Sequence, residues 1–148
     1  MTIHQANCMT NCCSMMCKYK NNPLNIRYSA FNHWQGLEGE RRGFCEFSTL
    51  SYGIRAAAIL LMQSYRKQGA DTLRKVIKRW APECENPTLK YIDFVHVKTK
   101  VMRDESLVQP AQYALIIWAM SWFEQGCKPS FSPTEVLKVI NSFKITLQ

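Results

Sequence analysis

The stretch from Pro110 to Gln125 constrains the fold more than any other part of the chain: it is apolar nearly all round and is closed by Gly126. A helix with no polar face has to be covered on every side, so this one reads as the central helix of a mainly α domain. Its proline start and glycine stop follow the asymmetry of helix ends. Four further helices follow from periodicity and punctuation. Over 51–68, Ile54, Ala57, Ala58, Leu61, Met62 and Tyr65 recur at i, i+3, i+4 spacing, with Gly69 as the C-terminal cap. A second runs from Asp71 or Thr72 to Trp80, with Leu73, Val76, Ile77 and Trp80 on one face, and Pro82 stops it. A third opens at Asn86-Pro87, read as N-cap and first-turn proline, and buries Tyr91, Phe94 and Val95. The last begins with Ser132-Pro133-Thr134-Glu135, a capping box.

Ahead of these helices, residues 21–49 lack helical periodicity and carry glycines at 36, 39 and 43. They predict an irregular loop and a small β-hairpin, with Gly43–Ser48 as one strand. Residues 21–148 therefore form a single domain, and 1–20 read as a flexible Cys-rich tail. Cys8, Cys12, Cys13 and Cys17 form a C-x3-C-C-x3-C run there, while Cys45, Cys84 and Cys127 are scattered. The run lacks zinc-finger spacing and no histidine follows at finger distance. Reduced thiols are the expectation, with no metal and no cofactor.

The formal net charge of +8 points toward a polyanion: nucleic acid, an anionic membrane surface or the anionic bacterial wall. Arg66, Lys67, Arg74, Lys75, Lys78 and Arg79 fall on two adjacent helices. They offer a nucleic-acid surface as one reading and a solvated face against wall polymer as the other, and the second is preferred. No segment reaches the roughly 18 consecutive apolar residues of a membrane span. Met1-Thr2-Ile3-His4-Gln5 does not begin an ordinary secretory signal. Action at the cell wall would then require lysis, virion delivery or a dedicated secretion system. His33 and His96 stand alone, and the chain has no HExxH, Ser/His/Asp pattern, P-loop or dinucleotide fingerprint.

A set of separated polar motifs remains: Asn22-Pro23-x-Asn25-Ile26-Arg27, Trp34-x-Gly36, Gly43-Phe44-x-x-Phe47, Gly53-Ile54-Arg55-Ala56, Arg79-Trp80-Ala81-Pro82, Glu85-Asn86-x-Thr88-x-x-Tyr91, and Ala119-Met120-Ser121 with Glu124-x-Gly126. In this order, over residues 21–126, they resemble a family of phage and bacterial virion structural proteins. Leu24 and Gln125 replace that family's glycine and asparagine. The block from Asn21 to Tyr65 is similar in turn to the middle of glucosaminidase-type autolysins, and Thr88-x-x-Tyr91-Ile92-x-x-Val95 resembles the closing helix of lytic transglycosylases.

The resemblance implies a lysozyme-like domain that cleaves the glycan strand of peptidoglycan. In both enzyme groups the catalytic glutamate ends a buried helix ahead of the Asn-rich block. Here residues 1–20 contain no acid, and the glutamate at the end of a buried helix is Glu124. The order would thus be circularly permuted, with Glu124 as general acid. An apolar setting beside Trp122 and Phe123 would raise its pKa by desolvation, and the helix C-terminus would push the same way. A two-carboxylate mechanism needs a partner, for which Glu38 is the first choice over Glu40 and Glu46. Asn22, Asn25, Arg27, Trp34, Glu85 and Tyr91 are the candidates for substrate binding. The implied actor is a phage-derived hydrolase or an antibacterial effector, the latter requiring a cognate immunity protein. A non-catalytic virion or wall-binding protein is the alternative.

Overall fold

The computed structural model describes residues 17–148. Among them are five α-helices and one small antiparallel sheet: β1 (Leu37–Arg41), β2 (Phe44–Phe47), α1 (Leu50–Ile59), α2 (Leu73–Trp80), α3 (Thr88–Thr99), α4 (Pro110–Gln125) and α5 (Pro133–Ser142). The architecture is mainly helical with a β-hairpin at the front, as the sequence predicts.

Helix α4 lies against α1, α3 and α5. Tyr113, Ile116, Ile117, Ala119 and Met120 are fully buried, and burying each large side chain contributes about 1.5–3 kcal/mol. Its outer stripe is half-covered rather than sealed. There Trp118 meets Trp122 edge-on, Phe94 of α3 meets Trp122, and the Lys98 ammonium lies 4.3 Å from the Trp122 ring centre. The proline start and the left-handed Gly126 cap are both present, as are the Ser132–Glu135 reciprocal bonds that open α5.

The hairpin pairs Arg41 with Phe44, Glu40 with Cys45 and Gly39 with Glu46, with an irregularity between Leu37 and Gly39. Arg42 and Gly43 at its tip both have positive φ, the pair that a two-residue type I′ turn demands. An isolated bridge from Arg27 to Phe44 adds the Asn-rich loop to the hairpin's open edge.

Two elements differ from the sequence reading. The long first helix is not uniformly α: after Ile59 it widens into a π-helical turn over Leu60–Tyr65. Apolar residues at i, i+3, i+4 spacing fit both geometries over so short a stretch, so periodicity does not separate them. Helix α3 begins at Thr88, with Pro87 at the cap position and no side-chain cap. Asn86, expected to cap it, instead turns its amide back to the Pro82 carbonyl at 3.1 Å.

Of the segment read as a tail, Cys8, Cys12 and Cys13 lie outside the described residues. The final four residues join the fold: Lys18 N–H donates to Gln125 Oε1 at 2.8 Å, and the Lys20 carbonyl accepts from Phe47 at 3.0 Å. No helix among the described residues is long and apolar enough to cross a membrane.

Candidate functional site

The Asn21–Arg27 loop owes its shape to its asparagines. Asn21 and Asn25 both sit at positive φ (54° and 52°), a region that asparagine tolerates better than most residues. Asn22 is wholly buried between them. Its Oδ1 accepts from the Ile26 N–H at 2.8 Å, while its Nδ2 donates to the carbonyls of Ile26 (3.0 Å) and Cys45 (2.8 Å). Its amide is spent on the loop and on β2, so Asn22 shapes the site rather than meeting a ligand.

The loop then rests on α1 at Gly53. A Cβ added there would lie 1.8 Å from the Asn21 carbonyl oxygen, so only glycine permits the approach. Two motifs thirty residues apart are thereby explained by one contact.

Gln125, the last residue of α4, fixes the loop from the other side. Its Nε2 donates to the Pro23 carbonyl (2.8 Å) and to Asn25 Oδ1 (3.0 Å). That orients the Asn25 amide, whose Nδ2 donates to Glu124 Oε1 at 3.1 Å. The other carboxylate oxygen, Oε2, accepts from Trp80 Nε1 at 3.0 Å and from the Tyr91 hydroxyl at 2.9 Å. Glu124 is therefore gripped by the loop, by the end of α2 and by α3.

The sequence predicts an apolar surround for Glu124; the observed one is a set of three donors. Trp122 and Phe123 turn instead toward α3, where Phe123 stacks on Tyr91 at 4.0 Å between ring centres. Tyr91 is buried, which pushes its hydroxyl pKa well above the usual value, and the neighbouring Glu124 charge adds to this. It stays a protonated donor, and its ring has no face open for stacking on a sugar. Oε2 takes two hydrogen bonds and Oε1 takes one from the Asn25 side chain, which leaves Oε1 the oxygen with spare accepting capacity.

Glu124 lines an open cleft of about 420 Å³ together with Asn25, Arg27, Phe44, Tyr65, Trp80, Glu85 and Asn86. The Arg27 guanidinium lies 5.0 Å from the Phe44 ring centre, a cation–π contact. Glu85 is exposed in the turn before α3. Of the sequence candidates, Glu124, Asn25, Arg27 and Glu85 thus share one cleft, with Tyr91 behind it.

Glu38 and Trp34 are not among the cleft's residues. Glu38 stands exposed on β1, paired with Lys20 at 2.9 Å. Trp34 packs half-buried against the core, its indole N–H without a hydrogen-bond partner among the described residues. A second depression, of about 400 Å³, is bordered by Lys18, Lys20, Arg41 and Glu46. Its carboxylate, Glu46, is already bound by Arg41 Nε at 3.1 Å and the Lys20 N–H at 3.2 Å. The Glu124 cleft is the one that gathers most of the sequence candidates.

Sequence reasoning misses Gln125, Tyr65 and the role of Trp80 in orienting the carboxylate. Nothing local marks Gln125: its partners at 18, 23 and 25 are about a hundred residues away. Trp80 stands in a motif but reads as one more core position. Among the described residues, no group of three His, Cys, Asp or Glu side chains could hold a metal ion. The basic cluster is partly neutralised within the fold. Arg74 grips Asp104 with two bonds (2.7 and 3.1 Å), Lys75 and Lys78 pair with Asp71 and Glu83, and Arg66 donates to the carbonyls of Leu107 and Gln148.

No family model matches the chain. It is 40% identical over 114 residues to Protein P5 of Pseudoalteromonas phage PM2, an alignment that covers 74% of this chain and 70% of that protein.

Proposed function

The chain belongs to the family of Protein P5 of Pseudoalteromonas phage PM2, and from that premise we propose that it serves a phage as a lysozyme-like glycosidase acting on the glycan strand of peptidoglycan. The observation that carries this reading is the Glu124 carboxylate. It is half-buried at the end of the central helix, aimed by three side chains from three elements, and open to a polar cleft. Three orienting partners hold it to one geometry, which a positioned proton-transfer group requires.

In this reading a proton carried on Oε1, the oxygen with a free position, passes to the glycosidic oxygen as its bond to the sugar breaks, and Asn25, Trp80 and Tyr91 stabilise the carboxylate left behind. The second carboxylate, if the bond is cut by a two-carboxylate route, is Glu85. It shares the cleft, whereas Glu38 is engaged with Lys20. Arg27, aligned by Phe44, faces the same space and suits an acidic group on the wall polymer. Delivery in a virion or at host lysis brings the protein to the wall. The family favours this over the secreted-effector route with its immunity partner.

The alternative of a non-catalytic virion protein draws on the same carboxylate. A glutamate holding loop, α2 and α3 together is also a structural clamp. Purified peptidoglycan incubated with wild type, Glu124→Gln, Glu85→Gln and Glu38→Gln, with products read by mass spectrometry, separates the two. The glycosidase reading expects muropeptides from wild type and Glu38→Gln, none from Glu124→Gln, and a reduced yield from Glu85→Gln. Wild type that sediments with the wall yet releases nothing establishes the structural role instead.

A further inference from the structure

Tyr65 enters the cleft from the π-helical turn Leu60–Tyr65. A π turn accommodates one more residue than an α turn, which rotates the chain beyond it by about 100° around the helix axis. That rotation sets the side chain of Tyr65 beside Trp80, with ring centres 6.4 Å apart, and under the Arg79 guanidinium at 5.6 Å. The ring therefore has a packing task, since it backs the indole that holds Glu124. The hydroxyl has none: it makes no hydrogen bond to any described residue, in a cleft where Trp80, Tyr91 and Asn25 all spend their donors on Glu124.

We propose that the Tyr65 hydroxyl is a substrate-binding donor, hydrogen-bonding an acceptor oxygen of the glycan that lies against Glu124; the assignment rests on the glycan-cleaving reading above. Burial pushes this hydroxyl's pKa up to about 12, so it remains a donor across the pH range in which the wall is handled. It also makes the cleft discriminating. A half-buried hydroxyl left unpaired is costly, so the site favours ligands that present oxygen there over apolar ones of equal size.

Tyr65→Phe isolates the hydroxyl because it keeps the ring against Trp80. In the full chain, its melting temperature should match wild type, while KM for soluble peptidoglycan strands rises about threefold to tenfold, the range of one neutral hydrogen bond. In the non-cleaving Glu124→Gln background, adding Tyr65→Phe should weaken calorimetric binding of purified disaccharide-repeat fragments by the same factor. Tyr65→Ala should in addition lower kcat and the melting temperature, because Trp80 loses its backing. Wild-type cleavage with KM and fragment affinity unchanged in Tyr65→Phe overturns the Tyr65 assignment alone. Neither cleavage nor fragment binding by wild type overturns the glycosidase reading and the assignment with it.

Discussion

At the end of α4 a carboxylate sits among donors from three separate elements; on β1 a carboxylate reaches only a lysine. Glu124 and Glu38 are the same residue type, and the sequence offers both for catalysis, yet their surroundings share nothing. Glu124 is fixed by Asn25, Trp80 and Tyr91, contacts that span 99, 44 and 33 residues of chain. Glu38 and Lys20 are both about half exposed, and a pair of that kind is worth between nothing and about 1 kcal/mol. The glutamate proposed to react differs from the solubilising one in the number of independent elements that converge on it, and local sequence does not display that number.

The sharpest way to break the comparison is catalytic. Glu124→Gln should lower the rate of muropeptide release by about 10²–10⁴-fold, the usual contribution of a positioned proton-transfer group, while Glu38→Gln leaves it unchanged. Equal effects in a turnover assay would erase the distinction. Next in size is Gly53→Ala, which drives a methyl group into the Asn21 carbonyl beneath the loop that carries Asn25. A loss of at least about 3 kcal/mol in denaturant unfolding is expected, at the top of the overpacking range.

Tyr91→Phe should cost about 1.5 kcal/mol, because Oε2 of Glu124 loses one of its two donors within a partly buried site. Glu38→Gln should change stability by less than about 0.5 kcal/mol. The smallest effect is a pH dependence on the exposed face. The Lys20 N–H and Arg41 hold the Glu46 carboxyl below its ordinary 4.5, and Arg74 holds Asp104 below its ordinary 3.8. Both contributions are complete above those ordinary values and fade as the pH falls through the lowered ones. Melting temperature should therefore be flat toward neutrality and decline only in acid below about pH 4.5, and less steeply in Arg74→Gln.

The readability of the chain tracks how local each determinant is. Ser132 and Glu135 complete each other's bonds within one turn, and Pro110 and Gly126 mark helix ends by their own backbone preferences, so α4 and α5 are legible. The glycines at 36, 39 and 43 betray the hairpin in the same way, although Gly43, read as the first residue of a strand, sits in its turn. Asn86 has the right credentials for a cap, but its side-chain amide is turned to donate to the Pro82 carbonyl four residues back. The π turn escapes because Leu61, Met62 and Tyr65 satisfy an α pattern equally well. At the site, Glu124 can be picked out as the acid ending a buried helix. Its donors cannot, since each comes from a segment whose own pattern describes only its local packing.

The Gln125 hub also has a consequence for the order of events during synthesis. It binds residues 18, 23 and 25 to the end of α4, so the cleft closes across about a hundred residues of chain. Contacts of such separation form late, after the intervening helices have condensed. A nascent chain still short of residue 125 has the asparagine loop, Trp80 and Tyr91 but nothing for them to aim. The cleft thus assembles only when the second half of the chain has emerged and folded, a delay set by translation itself.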